Sequence, residues 1–174
     1  VDESRPEWSA ESLRQAVQDV KPGLIRVDAD ELTYPAHILV RYRIETDLIA
    51  GRLALRDLPE AFNVGIRELL GIEVPDNRQG CLQDIHWPEG LFGYFPCYTL
   101  GALTAAQFAS AIEQTVDVNG ALREGDFAPI RQWLSDHVWS RASSVPPMQL
   151  IREATGHNLS ADAFLARARR RYLG

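Results

Sequence analysis

Apolar positions recur at helical spacing through most of the chain. Leu13, Val17 and Val20 fall on one side of a segment that Ser9 can cap and that Lys21-Pro22-Gly23 stops. Leu24, Ile25 and Val27 then form a short apolar stretch rich in β-branched residues, read as a strand or an extended entry. Asp28 or Asp30 caps a long helix reaching about Ala50, where Gly51 ends it. Pro35 sits in its first turns, harmless if Asp30 is the cap and a source of a kink if the helix starts earlier. Asp57-Leu58-Pro59-Glu60 is a strong helix start, and that helix carries Phe62, Ile66, Leu69 and Leu70 to a stop at Gly71.

Residues 72–93 break the period. They are rich in Gly, Pro, Asp and Asn and read as a long loop with a short strand near Gln83 to Trp87. Loops of this length are uncommon in compact domains and are often functional. Helix resumes from about Tyr94 to Gln114, and its small residues Gly101, Ala102, Ala105 and Ala106 suggest a buried, closely approached face. Three short helices follow near 118–123, 127–138 and 147–155, and Ser160 opens a last one to Tyr172. The expected fold is mainly α, with at most a small sheet near residues 24–27 and 82–87. No repeat or low-complexity tract interrupts it, and residues 1–174 read as one domain.

Composition narrows the functional classes. Apolar residues make up 45% of the 174, enough for a core, and charged residues 24%, close to the globular average. The net charge of −6 argues against a general nucleic-acid binder. The crowding of Arg167, Arg169, Arg170 and Arg171 suits the negative end of a helix dipole, with a phosphate-binding patch as the other reading. Cys81 and Cys97 lack a CxxC partner, so two free thiols in a reducing cytoplasm are expected rather than a metal knuckle. No apolar run approaches a membrane span, and Val1-Asp2-Glu3-Ser4 has no signal-peptide character. The chain opens on Val rather than Met, which fits a processed or truncated product.

Three polar clusters stand out. Arg26, Asp28 and Asp30 place a guanidinium and two carboxylates at a helix entrance; they can bind a carboxylate through the planar fork of arginine, or simply tie strand to helix. Gln83, Asp84, His86, Trp87, Tyr94 and Tyr98 fall within sixteen residues of a Gly-punctuated loop and can present several hydrogen-bonding groups, although the aromatics could equally be core. Asp30, Tyr34, His37, Arg41 and Glu45 lie on one face of the long helix, either solvated with an Arg41–Glu45 pair or lining a cleft.

At these residues the chain resembles the carboxypeptidase Taq family of metallopeptidases. The family patterns I/V-R-x-x-A-D and G-x-x-Q-D-x-H-W occur intact, over residues 25–30 and 80–87. Around them stand Asp30-Glu31-Leu32-Thr33-Tyr34, Asp57-Leu58-Pro59 with Asn63, and Phe92-Gly93-Tyr94-Phe95-Pro96 leading to Tyr98-Thr99-Leu100-Gly101. Phe62 departs from an expected Trp, a difference of packing. The family's H-E-x-x-H zinc motif and its H-P-F and D-x-R-x-T patterns are absent from these residues, and His37, His86, His137 and His157 form no i, i+4 pair. The resemblance therefore implies the C-terminal portion of a zinc metallocarboxypeptidase, with no metal ligands in this chain and zinc held by an N-terminal portion absent from it.

The resemblance also implies roles. The reaction is release of single residues from peptides with a free C-terminal carboxylate. Related helical zinc peptidases set a His and a Tyr at about the separation of His86 and Tyr98 to stabilise the oxyanion, and Tyr94 competes for that role. Arg26 is the candidate reader of the terminal carboxylate, held by Asp28 or Asp30. Gln83 is placed at the substrate, and with Asp84 is expected to orient His86. The partners implied are peptide substrates, the N-terminal portion and a second copy in a homodimer, with neither nucleic acid nor membrane. Two other readings stand beside this one: a helical interaction module, which has no need of the Gln83–Tyr98 cluster, and an inactive paralogue, for which the intact motifs would have little use.

Overall fold

The structure, a computed structural model, describes residues 9–173. The N-terminal residues read as lacking a signal peptide lie outside them. The chain forms two compact units, residues 1–99 and 100–174. Among the described residues all regular structure is helical: α1 (Ala10–Val17), α2 (Tyr34–Ile49), α3 (Leu58–Leu70), α4 (Pro96–Glu113), α5 (Val118–Glu124), α6 (Ala128–His137), α7 (Pro147–Thr155) and α8 (Asp162–Tyr172). None of these is long and apolar enough to cross a membrane.

Neither expected strand forms. Residues 26–28 make a single 3-10 turn, and residues 82–87 are turns. The reason is a side chain that does the work of a neighbouring strand. Gln83 Oε1 accepts the Arg26 backbone N–H at 2.8 Å, and Gln83 Nε2 donates to the Leu24 carbonyl at 3.1 Å. The same amide also reaches the Gln79 and Gly80 carbonyls, at 2.8 and 3.1 Å. The backbone groups that would seek a ladder are thus satisfied without one.

The first unit is built on α2 and α3. Val40 and Ile44 of α2 pack with Leu58, Phe62, Ile66 and Leu70 of α3 and with Cys81. The α3 residues recur every four positions, so one stripe of the helix is buried. Each such side chain contributes about 1.5–3 kcal/mol of hydrophobic burial. Gly65 lets the helices come close, because a Cβ there would lie 3.0 Å from Val40 Cγ1. The α2 start differs from expectation: Asp30 Oδ1 accepts the Leu32 and Thr33 N–H groups at 2.9 Å, forming a preliminary turn, and α2 proper begins at Tyr34 with Pro35 in its first turn. Pro35 therefore costs no helical hydrogen bond. Ser9 caps α1 as its sequence suggests, but α1 stops at Val17 and leaves Leu13 and Val17 exposed.

The second unit contains residues 100–113 of α4 and the helices α5 to α8. Ala106, Ile112, Ala121, Trp133, Ile151 and Ala168 are buried in it. Gly101, Ala102 and Ala105 are exposed, contrary to the expectation of a buried small-residue face. Gln107 is the staple here: its Nε2 donates to Thr155 Oγ1 and to the His157 and Asn158 carbonyls, and its Oε1 accepts from the Ser160 backbone. It fixes the α7–α8 connection, which has no regular structure to hold it. The arginines of α8 occupy its last turns, with Arg170 at 3.5 Å from Glu113.

Ile66 is fully buried. Ile66→Ala is expected to lower unfolding free energy by about 2–5 kcal/mol in urea denaturation; a change under 1 kcal/mol would show that this helix pair is not the stabilising core.

Candidate active site

The polar stripe of α2 faces inward. His37, Arg41 and Glu45 are 0%, 1% and 4% exposed, so the solvated reading and the Arg41–Glu45 pair are both corrected. Their spacing of four places them in a column, and the column holds the irregular segment 80–95. Arg41 Nε donates to Asp84 Oδ2 at 2.7 Å, with its Nη2 at 2.6 Å from the same oxygen. Glu45 accepts the Trp87 indole N–H at 3.0 Å and the Gly93 backbone N–H at 3.2 Å. Gly80 begins this segment in a place with no room for a side chain, since a Cβ would lie 2.9 Å from Val74 and 3.1 Å from the Asp76 carbonyl.

Asp84 joins two arginines. Its Oδ1 accepts from Arg26 Nε at 2.9 Å and Nη2 at 2.7 Å, while Oδ2 takes Arg41. Arg26 Nη1 donates to the Tyr34 hydroxyl at 2.6 Å. Asp28, an expected holder of Arg26, is exposed at the surface. Asp30, the other, is spent on its own turn and on the Lys21 N–H. Neither holds the guanidinium, because residues this close in sequence point elsewhere once the chain turns. Gln83 likewise bonds backbone rather than His86. Arg41, Tyr34 and Glu45 were visible in sequence only as a periodic stripe; the signal that could have assigned them was the spacing of three and four opposite a loop that needed anchors.

Charge and burial compete at this cluster. Burial works against ionised Asp84, yet the hydrogen bonds and charges of Arg26 and Arg41 outweigh it and hold its pKa below the usual value. Burial pulls the Arg41 pKa down against the attraction of Asp84; at Arg26, less deeply placed, burial also opposes the charge but Asp84 prevails and the pKa rises. Two cations share one anion, so the trio carries a formal surplus of one positive charge.

Aromatic rings enclose it. The Arg26 guanidinium lies 5.0 Å from the Tyr98 ring centre and 5.7 Å from those of Tyr34 and Phe95. Phe95, fully buried, has its ring centre 4.2 Å from that of His86, the two planes tilted by 31°. His86 Nε2 lies 3.0 Å from the Tyr98 hydroxyl. Tyr94 is close in ring contact, 5.6 Å from His86 and 5.5 Å from Tyr98, and is half exposed. The site thus collects Arg26, Asp84, His86, Tyr94 and Tyr98 in one place, with Gln83 at its edge. Burial lowers the His86 pKa and raises that of Tyr98, so both are neutral at pH 7. Among the described residues, no group of three or more His, Cys, Asp or Glu side chains is placed to hold a metal ion.

The sequence profile of the carboxypeptidase Taq (M32) metallopeptidases matches residues 1–172. The chain belongs to that family. Thermostable carboxypeptidase 1 of Thermus thermophilus is 42% identical over 165 residues, covering 94% of this chain and 32% of that protein. Carboxypeptidase 1 of Bacillus subtilis is 40% identical over 153 residues, 87% of this chain and 30% of the relative. Among solved structures, metallocarboxypeptidase 1 of Trypanosoma cruzi superimposes with a TM-score of 0.93 at 38% identity, covering 98% of this chain and 36% of that one. This M32 chain therefore spans about a third of the length of the relatives it matches.

Two predictions follow from the buried charges of this M32 site. Removing Asp84 leaves two guanidinium groups facing each other in a dry interior. Asp84→Ala is expected to cost about 3–5 kcal/mol in chemical denaturation. A loss below 1 kcal/mol would mean the arginines find other partners. His37 has no hydrogen bond of good geometry at either ring nitrogen, and burial followed by the Arg41 charge drives its pKa down to about 4, although the Gly23 backbone and Asp84 pull the other way. A histidine whose pKa falls on folding binds its proton in the unfolded chain first. Its stabilising effect is complete above about pH 6.5 and is lost as pH falls through about 4. His37→Leu should flatten the dependence of urea stability on pH across that window; an unchanged slope would exclude His37 as its source.

Proposed function

We infer that this chain contributes part of the active site of a metallocarboxypeptidase that releases single residues from peptide C-termini. The observation that carries this reading is the juxtaposition of the His86–Tyr98 pair with a charge-surplus arginine cluster, in a chain of the M32 family. The pair can offer a polar hydrogen to a reacting carbonyl, and the surplus positive charge favours an anionic chain end.

Among the described residues no cluster fits a metal ion; in this reading the divalent metal, zinc, and its ligands belong to the remainder of the complete enzyme. What this chain does is bind, orient and donate. Tyr98 or His86 donates to the developing oxyanion, with Tyr94 as the exposed alternative. Arg26 keeps N–H groups beyond those spent on Asp84 and Tyr34, and these are the donors for a terminal carboxylate. Asp84, itself anchored by Arg41, and the Tyr34 hydroxyl hold that guanidinium. The partners in this reading are peptides with a free C-terminus, the N-terminal portion of the enzyme and a second copy. Two free thiols, Cys81 and Cys97, suit a reducing cytoplasm.

The test is a C-terminal residue-release assay with metal analysis, on this chain alone and on the enzyme completed by its N-terminal portion. Activity with about one metal is expected only in the completed enzyme. There, Tyr98→Phe should lower kcat by about 10²-fold, and Arg26→Lys should raise KM for free-carboxylate peptides while leaving amidated ones unchanged. A completed, metal-loaded enzyme that releases no terminal residue would overturn the reading.

A further inference from the structure

The His86–Tyr98 contact leaves open which partner supplies the proton between them, and the surroundings of the ring decide it. His86 Nδ1 is buried and makes no hydrogen bond. It faces Asp84 Oδ1 at 3.9 Å. That distance is too long for a hydrogen bond but short for a charge effect in a dry site. A bare Nδ1 would set its lone pair close to a carboxylate; a protonated Nδ1 sets a partly positive hydrogen near it instead.

We propose that Asp84 holds His86 in the Nδ1–H tautomer, so that Nε2 accepts a hydrogen bond from the Tyr98 hydroxyl and Tyr98 alone of the two can donate to a reacting oxygen. His86 is then a positioning residue that holds the Tyr98 hydroxyl in place until a substrate oxygen takes over its hydrogen bond, and Asp84 has a second task beyond clamping two arginines.

The charges around the ring support this balance. Of the groups acting on His86, Asp84 has the largest single charge effect, and Glu45 acts in the same sense; Arg26 and Arg41 oppose, each with a smaller effect. The imidazole is neutral, so it has one proton to place, and placing it on Nδ1 makes Nε2 an acceptor. Tyr98, kept as the neutral phenol by burial, has the matching hydrogen. Access points the same way. His86 is 7% exposed and lies beneath Phe95, whereas Tyr98 is only partly buried at the start of α4. To serve a substrate, Tyr98 must exchange its bond to Nε2 for one to the substrate oxygen, a swing about its own C–O bond that needs no backbone movement.

The role of Tyr98 as donor rests on the carboxypeptidase reading; the tautomer does not. The first measurement is therefore made without activity, by 15N NMR of the His86 imidazole in this chain near pH 7.5. The expected spectrum has a protonated Nδ1 and a bare, hydrogen-bonded Nε2. Tyr98→Phe should shift the Nε2 resonance toward that of a free acceptor and leave Nδ1 protonated. A protonated Nε2 in the wild-type chain overturns the proposal. In the completed enzyme, His86→Ala and Tyr98→Phe should each lower kcat by about 10²-fold, and the double variant should be no worse than Tyr98→Phe. His86→Gln, which restores an acceptor, should recover most of the loss. Multiplying losses would overturn the positioning role of His86. A wild-type completed enzyme with no activity would overturn the donor role with the carboxypeptidase reading, and the NMR result would then decide the tautomer by itself.

Discussion

One carboxylate in the first unit has more depending on it than any other group. Asp84 lies between Arg26 and Arg41 and uses both oxygens on them. Burying two guanidinium groups is unfavourable unless an anion meets them, and burying a carboxylate is unfavourable unless donors surround it. Each member of the trio makes the others tolerable. Because the three come from the 3-10 turn at residues 26–28, from α2 and from the segment 80–95, the ion cluster also determines where those pieces sit. The aromatic enclosure follows from it: Phe95 and Tyr98 take positions over the two guanidinium groups, and His86 is laid against Phe95.

The helices were legible because their periods and stop signals are local. Asp57 to Gly71 reads as a helix from its Pro, its apolar repeat and its glycine, and α3 occupies that stretch. Gly156 caps α7 in the same way, whereas α8 begins at Asp162, two residues after Ser160. The failures came where long-range contacts override local preference. Leu24 to Val27 has strand-like residues but no strand to pair with, and the Gln83 amide satisfies it instead. The stripe His37, Arg41 and Glu45 looks like a solvated face by composition, and nothing within α2 indicates that Asp84, Trp87 and Gly93 will cover it.

The site was legible in part. Arg26, Asp84, His86, Tyr94 and Tyr98 were singled out as chemistry-bearing residues, and the fold gathers them. Their pairings were not legible. Asp28 and Asp30 were nearer to Arg26 in sequence than Asp84 is, and sequence proximity is a poor guide when the chain returns to Arg26 only after α2 and α3. Gln83 was expected beside His86 and instead supports the backbone beneath Arg26. The chain spans about a third of the length of the relatives it matches.

The separation of the clamp's members along the chain bears on how the protein reaches its native state. The bonds from Asp84 span 58 residues to Arg26 and 43 to Arg41, and Trp87 reaches back 42 to Glu45. The α2–α3 pair, by contrast, joins neighbours through a short connection. Closing a long loop is entropically unfavourable before its contacts form. The helix pair can therefore form at a lower entropic cost than the arginine clamp, whose partners must close longer loops. The chemistry-bearing groups thus depend on the long closures of this unit rather than on its local ones.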